Sequence, residues 1–312
     1  MISWRYHVVS LVAVVLAFGL GILAGTSVLD DRLVAQLKQN NATARRERDA
    51  AVALANAYER FVGGLQPTLR DDVLAAEEAI VVTMDGVDQP APRVVDELTA
   101  GGSDVLVTLE LSRRLVQTDI PDNAAAVEDA LGLVGTDPAT LSGRVADALA
   151  GRLAEGPGGG KDDVLGSLLA AGLITADRDL DPEALVGIGG AGQLVVIAAG
   201  GAVANESVSP DVFLVPLTER LVQLGVVTSA VGPRDDAYGY VSAVREASGI
   251  PDCSMVTVDD IDLGGVGGMT LAMAIDRFLS DPDPSFRPGG DYGIRGDSIV
   301  PGAADPPDSC RR

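Results

Sequence analysis

Between Val8 and Leu29 the chain runs for 22 residues without a charged side chain, VVSLVAVVLAFGLGILAGTSVL. As an α-helix rising about 1.5 Å per residue, the run spans ~33 Å, close to the thickness of a bilayer's hydrocarbon core. Trp4 and Tyr6 stand at its near edge, where amphipathic rings favour the membrane interface. A cleaved signal peptide has a shorter apolar run, about 7–15 residues, ending at a small-residue site; here the best such site is Gly25-Thr26-Ser27. The segment 1–29 therefore reads as an uncleaved transmembrane signal anchor. No second apolar stretch of this length follows, so the chain is expected to cross once, through residues 8–29. Gly21 and Gly25 form a small-xxx-small pair that lets two such helices approach closely. Arg5 favours an inside N-terminus, yet Arg32, Lys38, Arg45, Arg46 and Arg48 follow the far end, so basic residues alone leave the orientation open.

The segment 30–66 reads as a coiled-coil stalk. Two sets of positions repeat by seven: Leu33, Asn40, Glu47, Leu54 and Phe61, and Leu37, Ala44, Ala51, Tyr58 and Leu65. Apolar residues in most of these slots make a seam, and Asn40 within it favours a fixed register and two strands. The expected interface is Leu33, Leu37, Asn40, Leu54, Tyr58, Phe61 and Leu65, giving a homodimer; a lone amphipathic helix lying on its own domain is the alternative. Gly63-Gly64 and Pro67 are expected to end the helix.

From 67 to 280 the pattern changes to short, continuously hydrophobic runs separated by helical stretches. Ala79–Thr83, Asp104–Thr108, Gln193–Ala198, Val226–Ala230 and Met255–Val258 suit strands buried on both faces. Helical patterns occupy 94–100, 124–153 with a break at Pro138, 164–171, 212–224, 238–247 and 269–279. This alternation predicts a mostly parallel, Rossmann-like α/β domain, with the helical section from about 111 to 175 as an insertion or cover. The segment 281–312 holds six Pro and five Gly and reads as a disordered or extended tail.

Composition narrows the function. A net charge of −22, with 45 acidic against 23 basic residues, makes the chain a poor partner for nucleic acid. One His and two Cys exclude a four-ligand structural zinc site, and a single His at position 7 removes most imidazole-based catalysis. With no Ser-His-Asp or Cys-His arrangement available, the chain is expected not to be an enzyme. Gly187-x-Gly189-x-x-Gly192 has dinucleotide-motif spacing, but its strand follows the glycines instead of preceding them. The run Gly156 to Lys161 lacks the first Gly and the Ser or Thr of a phosphate loop. Asp259, Asp260 and Asp262, followed by Gly264-Gly265-Val266-Gly267-Gly268, lie between the last strand and the last helix, where open α/β sheets bind ligands. These carboxylates suit helix capping or a hard cation.

Sulfur is the other candidate. Cys253 and Met255 are two apart at the start of a strand, and Met269 and Met273 are four apart on a helix. Thiolate and thioether ligands suit Cu(I), making these four a candidate copper site; ordinary core packing is the alternative. Cys253 and Cys310 are equally able to pair as a disulfide in an oxidising compartment.

The opening Met1-Ile2-Ser3-Trp4-Arg5-Tyr6-His7-Val8-Val9-Ser10-Leu11, the stretch Val256-Thr257-Val258-Asp259-Asp260-Ile261-Asp262, and Tyr292-Gly293 followed by Gly296 together resemble the mycobacterial copper transport protein B (MctB) family. The resemblance implies an actinobacterial envelope protein anchored by its N-terminus, with the α/β part outside the cytoplasm and a role in copper efflux. A related reading of the family implies a scaffold at the division septum that helps regulate a peptidoglycan hydrolase. One spanning helix and a buried parallel sheet do not build a pore alone, since a membrane conduit needs a closed barrel or several helices.

Overall fold

The structure is a computed structural model that describes residues 4–70, 72–157, 163–201, 209–251, 253–280, 289–293 and 296. Its first element is the helix α1, Trp4–Arg70. Within it, Tyr6–Leu23 is long and apolar enough to cross a membrane, with a mean hydropathy of 2.3. The helix does not stop at Gly63-Gly64 or Pro67 as expected but continues to Arg70. A helical glycine costs only about 1 kcal/mol relative to alanine and a proline about 3 kcal/mol, and both sit after a long run of good helix formers. The expected coiled-coil positions Leu37, Asn40, Leu54, Tyr58 and Phe61 are exposed on α1. Leu33 and Leu65 lie in the same helix, with side chains outside the described set.

The domain that follows is built in the order β1 (Glu78–Met84), α2 (Ala91–Ala100), β2 (Asp104–Leu111), α3 (Pro121–Leu131), α4 (Pro138–Glu155), α5 (Val164–Ala170), β3 (Ile174–Ala176), α6 (Pro182–Val186), β4 (Leu194–Ala198), α7 (Leu214–Gln223), β5 (Val227–Val231), α8 (Tyr240–Glu246), β6 (Val256–Val258), α9 (Gly264–Ser280) and β7 (Gly290–Tyr292). Local chemistry starts several helices. Asp137 accepts a hydrogen bond from the Ala139 N–H ahead of α4, and Asp181 accepts from Glu183 and Ala184 ahead of α6. In both, proline follows at the first helical position, where its missing N–H costs nothing.

The seven strands lie in the order β3-β2-β1-β4-β5-β6-β7. All neighbours are parallel except β2 and β3. The parallel strands thus follow a doubly wound path, with the direction of winding reversing between β1 and β4. Side chains alternate along β1: Ile80, Val82 and Met84 enter one core with α4, α7 and α8, while Ala79 and Val81 enter a second core with α2 and α9. A bulge sets the register of β2, because Ala79 pairs with Val105 but Ile80 pairs with Val107. That extra residue lets Val105 reach the second core while Val107, Leu109 and Leu111 stay in the first. Each fully buried aliphatic side chain contributes roughly 1.5–3 kcal/mol.

Three elements depart from expectation. β3 and α6 occupy stretches not foreseen as regular structure, and β7 uses residues 290–292 of the segment expected to be a disordered tail. In β7, Gly290, Asp291 and Tyr292 pair in register with Val256, Thr257 and Val258. The rest of 281–312 lies almost wholly outside the described residues.

Candidate functional site

The carboxyl ends of the parallel strands carry part of the buried polar chemistry, the acids Asp259 and Asp260. At the β1–β4 reversal, Gly200 donates its N–H to the Val87 carbonyl at 2.8 Å. A Cβ on Gly200, whose φ is +147°, would collide with Pro233 and Asp236. The Asp236 carboxylate accepts from the N–H groups of Gly201 (3.2 Å) and Tyr238 (3.0 Å). Burial pushes the Asp236 carboxyl upward against the pull of these N–H groups. The chain itself therefore fills much of the place where an open α/β sheet takes a ligand.

The acidic run after β6 is more elaborate. Arg245 of α8 donates to Thr257 Oγ1 at 2.8 Å, to Asp259 Oδ2 at 2.6 Å and to the Tyr292 carbonyl at 2.9 Å. Thr257 in turn donates to Asp291 Oδ1 at 2.8 Å. One guanidinium thus ties α8, β6 and β7 together. Asp262 accepts from the Arg234 N–H at 2.7 Å. Asp260 is different: its relative exposure is 0%, and both carboxylate oxygens have no hydrogen-bond partner. Burial, then the charges of Asp259 and Asp262, push its pKa up to about 6, with Arg245 opposing. Among the described residues, no three His, Cys, Asp or Glu side chains stand close enough to hold a metal ion.

The glycines that follow serve close packing. A Cβ on Gly267 would overlap the Asp260 carbonyl and the Ile261 backbone, and one on Gly268 would overlap the Glu97 side chain. Glu97 lies buried on α2, 3.2 Å from Arg93, whose guanidinium also donates to the Gly264 carbonyl. The earlier Gly189, with φ at +81°, lies against Arg152 of α4, which pairs with Asp163. Gly189, Gly267 and Gly268 thus seat helices and side chains, whereas a Cβ on Gly192 would meet nothing within 4 Å; much of the run 156–161 lies outside the described residues.

The four sulfur residues are not gathered in one place. Met255 lies in the core on the α4–α7 face of the sheet, whereas α9, which carries Met269 and Met273, packs on the other face. Met269 and Met273 are each partly buried, one helical turn apart. Cys253 sits in a turn with φ of +65° and is disulfide-bonded, so in this form it offers no thiolate. The chain's other cysteine, Cys310, lies outside the described residues. Sequence reading missed Arg245, Arg93 and Glu97. The pairing of Arg93 with Glu97 had a visible sign in its four-residue spacing on a helix; Arg245 had none.

A helix apolar enough for a membrane and a doubly wound sheet with an acidic crest define an α/β protein carrying a candidate N-terminal anchor. Residues 1–298 match the family described as copper transport outer membrane protein, MctB, and the chain belongs to that family. Copper transporter MctB of Mycobacterium bovis is 25% identical over 316 aligned residues, covering 90% of this chain and 94% of the relative. Copper transporter MctB of Mycobacterium tuberculosis is similar to the same extent, 25% over 316 residues. These relatives are named as transporters and not as enzymes.

Proposed function

We propose that this protein is a single-pass, membrane-anchored envelope component of copper efflux or copper homeostasis, with its α/β domain outside the cytoplasm. The family match over residues 1–298 carries the reading. The disulfide at Cys253 supports the orientation, since structural disulfides persist in oxidising compartments and are rare in the cytosol. The one membrane-length apolar helix among the described residues supplies no conduit by itself, so on this reading the protein acts on copper by binding it or within a larger assembly. For direct Cu(I) binding, Met269 and Met273 are the best placed of the sulfur residues. Cys253 joins them only if its disulfide opens, and Met255 only if the core rearranges.

Two measurements test this. A strain lacking the protein should accumulate copper and lose copper tolerance; unchanged tolerance would overturn the copper reading. Cu(I) titration of the full-length protein in detergent micelles, with ascorbate to keep the metal reduced and a competing chelator, tests direct binding. Stoichiometric binding lost in the Met269→Leu/Met273→Leu variant makes the role direct. No binding makes it indirect.

A second reading draws on α1. Leu54 and Phe61 are 58% and 64% exposed on that helix, a seam that a second copy would cover. On this reading the protein is a dimeric, non-catalytic scaffold, presenting its domain to a septal or cell-wall-hydrolase partner.

A further inference from the structure

The α2–α9 face of the sheet is not covered along its whole width. Beside α2, toward the β2–β3 edge, it opens into a groove of about 410 Å³. Its floor comes from strand residues that alternate onto this face: Thr83 of β1, Glu110 of β2 and Thr175 of β3. Asp88, Asp96 and Asp177 stand around them, and none of the described lining residues is basic. Arg178 lies outside the groove, with its Nε 3.4 Å from Asp177. Two of the carboxylates are held in place. Glu110 Oε2 accepts from Thr175 Oγ1 at 3.3 Å, and Asp177 Oδ1 accepts from the Thr108 N–H at 3.0 Å. Each keeps lone pairs free for a further donor.

An independent observation points to a missing ligand. Thr83, on the groove floor, is 3% exposed, and its buried hydroxyl oxygen has no hydrogen-bond partner. A buried hydroxyl is ordinarily paired, so this one is a donor and acceptor still open beside the groove.

We propose that this groove is a docking site for an extended, arginine-bearing segment of a partner protein, independent of any copper chemistry. The carboxylates are too dispersed to converge on one metal ion. They do suit a guanidinium, whose five donors spread over a plane and pair with several carboxylate and hydroxyl oxygens at once. Pro92 and Val95 of α2 supply an apolar wall for the methylene stem. Asp88, Asp96, Thr175 and Asp177 are exposed, so the groove is an open trough and not a closed pocket. Enclosed clefts bury most of a small molecule's surface; a trough suits a length of chain lying across it.

The test uses the full-length protein in detergent micelles and a fluorescein-labelled Arg-Ala-Arg-Ala peptide, followed by anisotropy. Saturable one-site binding is expected, weakened at least tenfold by Asp96→Asn/Glu110→Gln and severalfold by Thr83→Val. Thr83→Val should leave Tm unchanged or raise it, because it removes an unpaired buried hydroxyl; a packing role for Thr83 would lower Tm instead. Exposed acids elsewhere give the control, Asp129→Asn/Asp235→Asn, which should leave affinity unchanged. Equal weakening by that control reduces the effect to the chain's overall negative charge and overturns the site. Equal affinity for free arginine amide assigns the groove to a small cation and overturns the partner segment.

Discussion

Arg245 and Asp259 meet at 2.6 Å across the α8–β6 boundary, with both side chains nearly buried. The same guanidinium reaches Thr257 and the Tyr292 carbonyl, so its loss would strip the buried Asp259 carboxylate of this ion pair and release β7 from its side support. Breaking one partner of a buried pair costs about 3–5 kcal/mol. Arg245→Met should therefore lower stability by roughly that amount in denaturant titration, and Arg245→Lys should recover only part of it, because a compact ammonium cannot spread its donors over acceptors as far apart as a planar guanidinium reaches.

Asp260 should make the domain pH-sensitive. Its folded pKa of about 6 lies above the ordinary aspartate value of 3.8, so the folded state holds the proton more tightly than the unfolded chain. Its contribution to stability is then full below pH 4 and is lost as pH rises through 6. A carboxyl moved from 3.8 to about 6 corresponds to on the order of 3 kcal/mol. Asp260→Asn should raise Tm at pH 7.5 relative to wild type, and the two curves should converge near pH 4. A Tm–pH series on both proteins checks this.

Gly267 and Gly268 should respond unequally to alanine. At Gly268 the obstacle is the Glu97 side chain, which can shift at the expense of its pairing with Arg93. At Gly267 it is the backbone of Asp260 and Ile261. Overpacking ordinarily costs about 1–3 kcal/mol, partly offset by alanine's helix propensity of about 1 kcal/mol. Gly268→Ala should fall near the bottom of that range and Gly267→Ala at or above its top, as read from denaturation midpoints.

Leu54→Glu/Phe61→Glu should abolish self-association if α1 forms a two-stranded coil, since like charges would replace apolar seam residues. Sedimentation of the full-length protein in detergent reads this directly. A dimer that survives the double change would count against the coil.

The parallel strands were legible because β1, β4 and β6 are buried on both faces and read as unbroken hydrophobic runs. β3 was not, since only Ile174 of its three residues is buried, and a pattern needs more than one position. β7 was hidden for a related reason. Gly-Asp-Tyr carries no strand signal, and its pairing is fixed by Arg245 and by backbone hydrogen bonds to a strand over thirty residues upstream. At the crest, the acids were visible as a cluster, but spacing does not tell that Arg245, from another helix, meets Asp259 while the Asp260 oxygens have no hydrogen-bond partner. The sulfur set shows the same limit. Spacing can place Cys253 with Met255, and Met269 with Met273, but it does not reveal that the sheet separates Met255 from α9.

The last strand also sets an order in time. β6 gains its outer neighbour only when residues 290–292, more than thirty positions downstream, arrive. Until then, its backbone donors and acceptors on that side form a bare rim, the kind of template on which chains join one another. A product cut short before Gly290 would keep that rim for good, open to pairing with another chain.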